Sequence, residues 1–325
     1  MNFEVFSKII SLGFVLTLIF FYSLDYINKT FVNCFNSKIN ISSTPLLGGT
    51  YLVFILFFVN LILFLSGFSY LDFNIFLCIF LVYLLGLVDD FKNIKPSYRI
   101  LASFFISGIL ILSNNNLIIY ELNLFYFSIN FNFYTGLLFT VICFIALQNT
   151  MNFIDGINGL SIILFIQYFS ILFYFNNDYR LIFFLIILFL IICFFINISN
   201  KFFLGDSGIY FLSYLLGTFV ILTYKSSDKF DQFFIMVMFI FPFLDLLRLI
   251  IERSIRGKSP FVGDKNHIHH ICKNRYGNNI TLLIFTLLTL ISCMIYFFTN
   301  KFMEVVLLNL FIYLILYSLR FLKNE

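Results

Sequence analysis

Apolar residues run along this chain in long unbroken blocks, not in alternation or in narrow helical stripes. The blocks fall near 9–24, 50–68, 71–88, 100–120, 134–148, 160–176, 180–198, 208–224, 232–250, 280–298 and 303–319. A segment crossing lipid needs about 20 mainly apolar residues, and only a helix satisfies its own backbone there. The pattern therefore predicts eleven membrane helices. The fourth breaks up at Asn114, Asn115 and Asn116, and Glu121 to Asn132 reads as an interfacial segment or a short hairpin. No internal repeat and no separate soluble domain is visible. The predicted fold class is all-α, a polytopic membrane protein forming a single domain over residues 1–325.

Composition agrees. Of 325 residues, 61% are hydrophobic and 11% charged, with 51 Phe and no Trp. A soluble chain carries about a quarter charged residues and could not hide this much apolar surface. A soluble enzyme, a disordered tail and a secreted disulfide scaffold are excluded. Cys34, Cys78, Cys143, Cys193, Cys272 and Cys293 form no CxxC pair, and four of them sit in apolar runs, so all six read as reduced. The net charge of +4 does not point to nucleic acid, because the bases alternate with apolar spans as juxtamembrane residues do. The first apolar run follows Lys8 and continues to Phe21 without an A-x-A site, which reads as a span and not a cleaved signal.

Lysine and arginine placement gives the orientation. Fifteen of the 20 basic residues fall after odd-numbered helices or at the C-terminus, among them Lys92, Lys95, Arg99, Lys201, Arg248, Arg253 and Lys273. Those loops are predicted to be cytoplasmic, with the N-terminus periplasmic and the C-terminus cytoplasmic. The polar residues then sort to one face. Asp89 and Asp90 fall in the 3–4 loop, and Asn149, Asn152 and Asp155 in the 5–6 loop. Asp206 falls in the 7–8 loop, and His267, His269 and His270 in the 9–10 loop.

Each cluster has a chemical reading and a plain one. Adjacent carboxylates at Asp89-Asp90, where a helix meets the headgroups, need a cation or a proton, and Lys92, Lys95 and Arg99 suit a phosphate. The plain reading is a solvated loop whose acids pair with its own bases. Asn149 and Asn152 share a helical face with Asp155, while Gly156 and Gly159 permit close approach to a ligand or only a sharp reversal. Gly205-Asp-Ser-Gly208 is found around serine-protease nucleophiles too, but every histidine lies in one later loop, against a triad with Ser207. Asp206 can cap a helix and still ligate a hard cation. His267-Ile-His-His270 lacks the further ligands of a zinc site, and beside four bases it suits a pyrophosphate.

In this order and on one face, the clusters resemble the polyprenyl-phosphate N-acetylhexosamine-1-phosphate transferase family (glycosyltransferase family 4). The stretches that carry the resemblance are Val88-Asp-Asp-Phe91, Asn149-Thr-Met-Asn-Phe-Ile-Asp-Gly156, Phe203-Leu-Gly-Asp-Ser-Gly208 and His267-Ile-His-His270, with Pro45-Leu-Leu-Gly-Gly49 a weaker match. Residues 45 to 270 are covered. Where the family often has Arg-Lys-x-His and a further Pro, this chain reads Ser37-Lys38-Ile39-Asn40 and then Ser43. That departure bears on substrate selection. The His-x-His-His form is more similar to the branch acting on UDP-N-acetylhexosamines than to the peptidoglycan branch, which has three consecutive histidines followed by Phe-Glu.

The resemblance implies transfer of N-acetylhexosamine-1-phosphate from a UDP-sugar to undecaprenyl phosphate with release of UMP. The reaction would initiate an O-antigen, enterobacterial-antigen or teichoic-acid type glycan in the bacterial inner membrane. Membrane lipid is the surrounding partner and a homodimer is compatible with it. It implies Mg²⁺, or Mn²⁺ in its place, held by Asp206 and Asn152. Asp89 and Asp90 would act catalytically on the lipid phosphate. Asn149, Asp155, Asn93, Arg99, His267, His269 and His270 would bind substrate. Within the enzyme class, the alternative is phospho-N-acetylmuramoyl-pentapeptide transfer. A secondary transporter would place its acids near the bilayer midplane, and a non-catalytic lipid-anchoring scaffold would have lost them.

Overall fold

A computed structural model describes residues 11–20, 46–65, 67, 72–257 and 266–321. Lys8, Lys29, Cys34, Ser37–Asn40, Ser43, Pro45, Lys258, Lys265 and Lys323 lie outside the described residues. Twelve helices are present among the described residues: α1 (Ser11–Phe20), α2 (Gly48–Leu65), α3 (Phe73–Lys92), α4 (Pro96–Ser113), α5 (Phe133–Ile154), α6 (Leu160–Phe175), α7 (Arg180–Ile198), α8 (Gly205–Ser226), α9 (Gln232–Met238), α10 (Ile240–Ile255), α11 (Ile268–Thr299) and α12 (Phe302–Ser318). Seven are long and apolar enough to cross a membrane, or eight if α9 and α10 together form one bent span. Each apolar run of the sequence has its helix. The 121–132 stretch is a hairpin of β1 (Glu121–Asn123) and β2 (Ser128–Asn130), antiparallel with Leu122 opposite Ile129.

The predicted ninth helix is the exception, because it divides into α9 and α10 with a 68° bend. Pro242 explains the break. It has no N–H to offer Met238, and its ring collides with that carbonyl in a straight helix. The long α11 also breaks, at Gly277, whose φ of 81° and ψ of 173° are not helical. Its first segment, carrying His269 and His270, is thus a separate arm before the span.

Helix α8 forms the centre of the bundle, with Ser213, Thr218 and Phe219 fully buried, and α2, α3, α5 and α6 pack around it. Gly86 lets α3 come against the start of α8, where any Cβ would meet Ser207 Cα at 2.6 Å. The weaker N-terminal motif joins the same point. Gly48 and Gly49 donate their N–H groups to the carbonyls of Phe203 and Leu204 at 3.0 Å, zipping two distant sequence motifs together. On the outside, Leu101, Phe105, Ile109 and Leu112 of α4 stand more than half exposed at helical spacing. Such an apolar face is stable against lipid, not against water. The protein is a polytopic all-α membrane protein.

The five described cysteines, Cys78, Cys143, Cys193, Cys272 and Cys293, are free thiols. Helices outlast their predicted ends on the face that carries the motifs. Asp89 and Asp90 lie on the last turns of α3, and Asn149 and Asn152 lie within α5, not in loops. His267 is the N-cap of α11, with His269 and His270 in its first turn. Apolar character decides the lipid-crossing part, but a helix continues until its carbonyls find other partners. Here α3 runs on until Asn93, in the left-handed conformation at φ 48°, donates its N–H to Asp89 O at 2.9 Å.

Candidate active site

Adjacent residues on a helix point about 100° apart, and that separation divides Asp89 from Asp90. Asp89 is 2% exposed. Its Oδ1 accepts the Ile94 N–H at 2.7 Å, and its Oδ2 accepts from Arg99 at 2.6 Å and from the Tyr210 hydroxyl at 3.1 Å. Asp89 thus accepts three hydrogen bonds within the protein, chief among them that of Arg99, and does not line the cavity that Asp90 lines. Arg99 reaches this position from the first turn of α4, which Pro96 starts at N1 without losing a needed donor.

Asp90 faces another side of the helix. Its two oxygens accept the backbone N–H groups of Asp206 (2.7 Å) and Ser207 (3.1 Å), so a carboxylate of α3 caps the N-terminus of α8. Gly205, at φ 74°, makes that turn, and a side chain there would come within 2.8 Å of Asp90 Oδ2. Asp206 is thereby swung to the open side, 29% exposed at its side chain and 3.9 Å from the Arg99 guanidinium.

The third wall is the end of α5 and the turn into α6. Asp155 accepts a hydrogen bond from the Ser161 hydroxyl. Burial pushes the Asp155 carboxyl up to about 6, against the pull of Ser161 and with the charge of Asp90 adding to it. Asn197, at the end of α7, accepts the Gly159 N–H at 2.6 Å and donates to Phe202 O at 3.1 Å, tying this turn to the one before α8.

These walls enclose a cavity of about 720 Å³ whose lining includes Asp90, Asn93, Asn152, Asp155 and Asp206. Five of the eleven candidate residues thus meet at one cavity from three separate stretches of sequence. Asn149 does not reach it, since its amide donates back to Ile145 O at 2.7 Å. The oxygen-only donors of Asp206, Asn152 and Asp155 fit a hard divalent cation and not zinc.

His269 and His270 stand at the rim, next to Gly156. A Cβ on Gly156 would lie 2.4 Å from His269 Nε2 and 2.7 Å from His270 Nε2, so both imidazoles turn their Nε2 edges toward this cavity-lining residue. Among the described residues, the buried His269 Nε2 has no hydrogen-bond partner. The rings of His267 and His269 stack at 5.1 Å and those of His269 and His270 lie 4.4 Å apart.

Sequence reasoning missed Tyr210, which sits in an apolar helix with no motif signal of its own. It also missed Asn197 and Asp245. An acid within a membrane helix is itself a signal, because an unpaired charge there is costly, and Asp245 could have been singled out on that ground.

Comparison with known proteins agrees with the motifs. The family model described as glycosyl transferase family 4 matches residues 73–224. The undecaprenyl-phosphate alpha-N-acetylglucosaminyl 1-phosphate transferase of Thermotoga maritima is 28% identical over 204 residues, which is 62% of this chain. The match likewise spans 62% of that relative's length. Three of the four motif stretches fall inside residues 73–224, and their side chains meet around one cavity. By motif, by family model and by relative, this chain resembles the polyprenyl-phosphate N-acetylhexosamine-1-phosphate transferase family.

Proposed function

We propose that this protein transfers the N-acetylhexosamine-1-phosphate of a UDP-sugar to undecaprenyl phosphate, releasing UMP, at the cytoplasmic face of a bacterial inner membrane. The observation that carries the reading is the cavity itself. Asp90, Asn152, Asp155 and Asp206 converge on it from three helix ends, with a guanidinium 3.9 Å from Asp206 and the imidazoles of His269 and His270 against its Gly156.

The reaction exchanges one phosphoanhydride for another. An oxygen of the lipid phosphate bonds to the phosphorus bearing the sugar, and the bond from that phosphorus to the bridging oxygen breaks, so UMP leaves with the electron pair. Two anions must be brought together, so positioning and charge neutralisation are the protein's main tasks. Arg99, fixed by Asp89 and Tyr210, holds a preorganised positive charge beside Asp206. Asp90 keeps the N-terminus of α8 in register with α3, and so aims Asp206 into the cavity. His269 and His270, whose Nε2 edges face Gly156, supply neutral or cationic donors for the nucleotide phosphates. A divalent cation, Mg²⁺ or Mn²⁺, would be held by Asp206 and Asn152 and would draw charge from the pyrophosphate.

The His-x-His-His form supports a UDP-N-acetylhexosamine over the pentapeptide-bearing donor. Ile268, between the first two histidines, is fully buried, so the position is filled by core and not by a third consecutive imidazole. The reading places the enzyme at the start of an O-antigen, enterobacterial-antigen or teichoic-acid type glycan. Incubating membranes containing the protein with undecaprenyl phosphate and a panel of labelled UDP-sugars tests it. Label should pass to lipid from a UDP-N-acetylhexosamine. Transfer only from the muramoyl-pentapeptide donor would refute this branch assignment.

A further inference from the structure

Asp245 and Arg248 lie one turn apart on α10, and together they grip a single residue, His267. Asp245 Oδ2 stands 3.1 Å from His267 Nδ1, and Asp245 Oδ1 accepts the Ile268 N–H at 3.3 Å. Arg248 donates to Asn266 O at 2.6 Å. The backbone before His267, the backbone after it and its ring are thus all held by one ion pair, itself closed at 2.9 Å.

The pair is in turn braced from two sides. Tyr313 of α12 donates its hydroxyl to Asp245 Oδ1 at 3.1 Å and accepts from Arg248 Nε at 2.8 Å. Glu252 accepts from Arg248 at 2.7 Å and from Arg320 at 2.9 Å. Asp245 is 6% exposed and does not line the cavity, so it touches no substrate.

A carboxylate at Nδ1 has a chemical consequence. It accepts only, so Nδ1 must carry the proton, and Nε2 of a neutral His267 is left as the acceptor. The same ring stacks on His269, whose Nε2 abuts Gly156 at the cavity. Three donor atoms of Asp245, His267 and His269 also lie within 4.8 Å of one another, a spacing that a metal ion could use. Asp245 Oδ1 already accepts from Arg248, Ile268 and Tyr313, which argues for the hydrogen-bonding role.

We infer that Asp245 is a positioning residue that fixes the tautomer of His267 and, with Arg248 and Tyr313, sets the histidine rim for the nucleotide phosphates. This rests on the transfer reading above. In Asp245→Asn the amide NH₂ can turn to His267 Nδ1, which must then accept, and the proton moves to Nε2. Loss of a hydrogen bond to a charged group is worth roughly 10- to 150-fold.

The test uses the full-length protein in detergent. In Asp245→Asn, KM for the UDP-sugar should rise by up to roughly that factor, with KM for undecaprenyl phosphate unchanged, and ¹⁵N-histidine NMR should show one ring switching tautomer. Tyr313→Phe, which keeps the ring and only loosens the clamp, should shift the same KM by a smaller factor and carries the test if Asp245→Asn does not fold. Equal changes in both KM values, or an unchanged tautomer, would overturn the inference. So would zinc that copurifies with the wild type and is lost in Asp245→Asn, because Asp245 would then be a metal ligand. If the wild type neither binds UDP nor transfers sugar phosphate, the transfer reading fails, and the tautomer measurement still decides the placement of Asp245.

Discussion

Asp89 and Arg99 should behave as one unit, and a double-mutant cycle measures this. Asp89 Oδ2 receives Arg99 at 2.6 Å and Tyr210 at 3.1 Å, and the carboxylate is 2% exposed. In Asp89→Asn an NH₂ can replace that oxygen, so two donors face a third. A hydrogen bond to a charged group is worth about 1.5–3 kcal/mol, which corresponds to roughly 10- to 150-fold in a rate ratio. If Asp89 acts only by holding Arg99, then Asp89→Asn and Arg99→Gln should each lower kcat/KM by about that factor. The double variant should then fall no further than the worse single. If Asp89 instead touched the lipid phosphate on its own account, the losses would multiply to roughly 10²- to 10⁴-fold. The assay is transfer of labelled sugar phosphate to undecaprenyl phosphate by detergent-purified protein, normalised to the monodisperse fraction. Multiplying losses would refute the placement of Asp89 behind Arg99.

Other predictions follow from the same geometry. Asp206→Asn should abolish most transfer and EDTA should silence the wild type, while a chelator-resistant enzyme would exclude the proposed cation. Gly156→Ala should raise KM for the UDP-sugar, because its Cβ would lie 2.4 Å from His269 Nε2 and the rim must shift; an unchanged KM would remove the histidines from the site. Asp155 titrates near 6, above the usual carboxylate range, so the folded state binds its proton more tightly than the unfolded chain. That contribution to stability is complete at lower pH and is lost as pH rises from about 4 to about 6. In EDTA at pH 7.5, Asp155→Asn should therefore melt no lower than the parent, and a clear drop in midpoint would contradict the burial argument. Lys273, exposed on the arm of α11, should as Lys273→Cys in a cysteine-free background take up label only from the cytoplasmic side.

The sequence made the spans legible because a lipid-crossing helix announces itself by length and apolarity alone. The polar ends were legible as motifs, since Asp90, Asn93, Asn152, Asp155 and Asp206 do meet at one cavity. Their roles were less so. Asp89 and Asp90 are neighbours of the same chemistry, and only the helix phase and the packing of Tyr210 decide which one reaches the cavity. Helix ends were misplaced by the same limit, since hydropathy falls at the headgroups while the hydrogen-bond ladder of α3 continues to Lys92. The bend before α10 was readable from Pro242. The clamp on His267 was not, because Tyr313 lies 68 residues from Asp245 and nothing local connects them.

The most direct test measures both products at once. Purified protein is supplied with undecaprenyl phosphate and a labelled UDP-N-acetylhexosamine, and lipid-linked sugar and UMP are quantified together. The two should appear in equal amounts, only when the lipid phosphate is present, and added UMP should drive the label back into UDP-sugar, since one phosphoanhydride replaces another. Release of UMP without the lipid, or sugar reaching lipid with UDP as the other product, would contradict the proposed transfer.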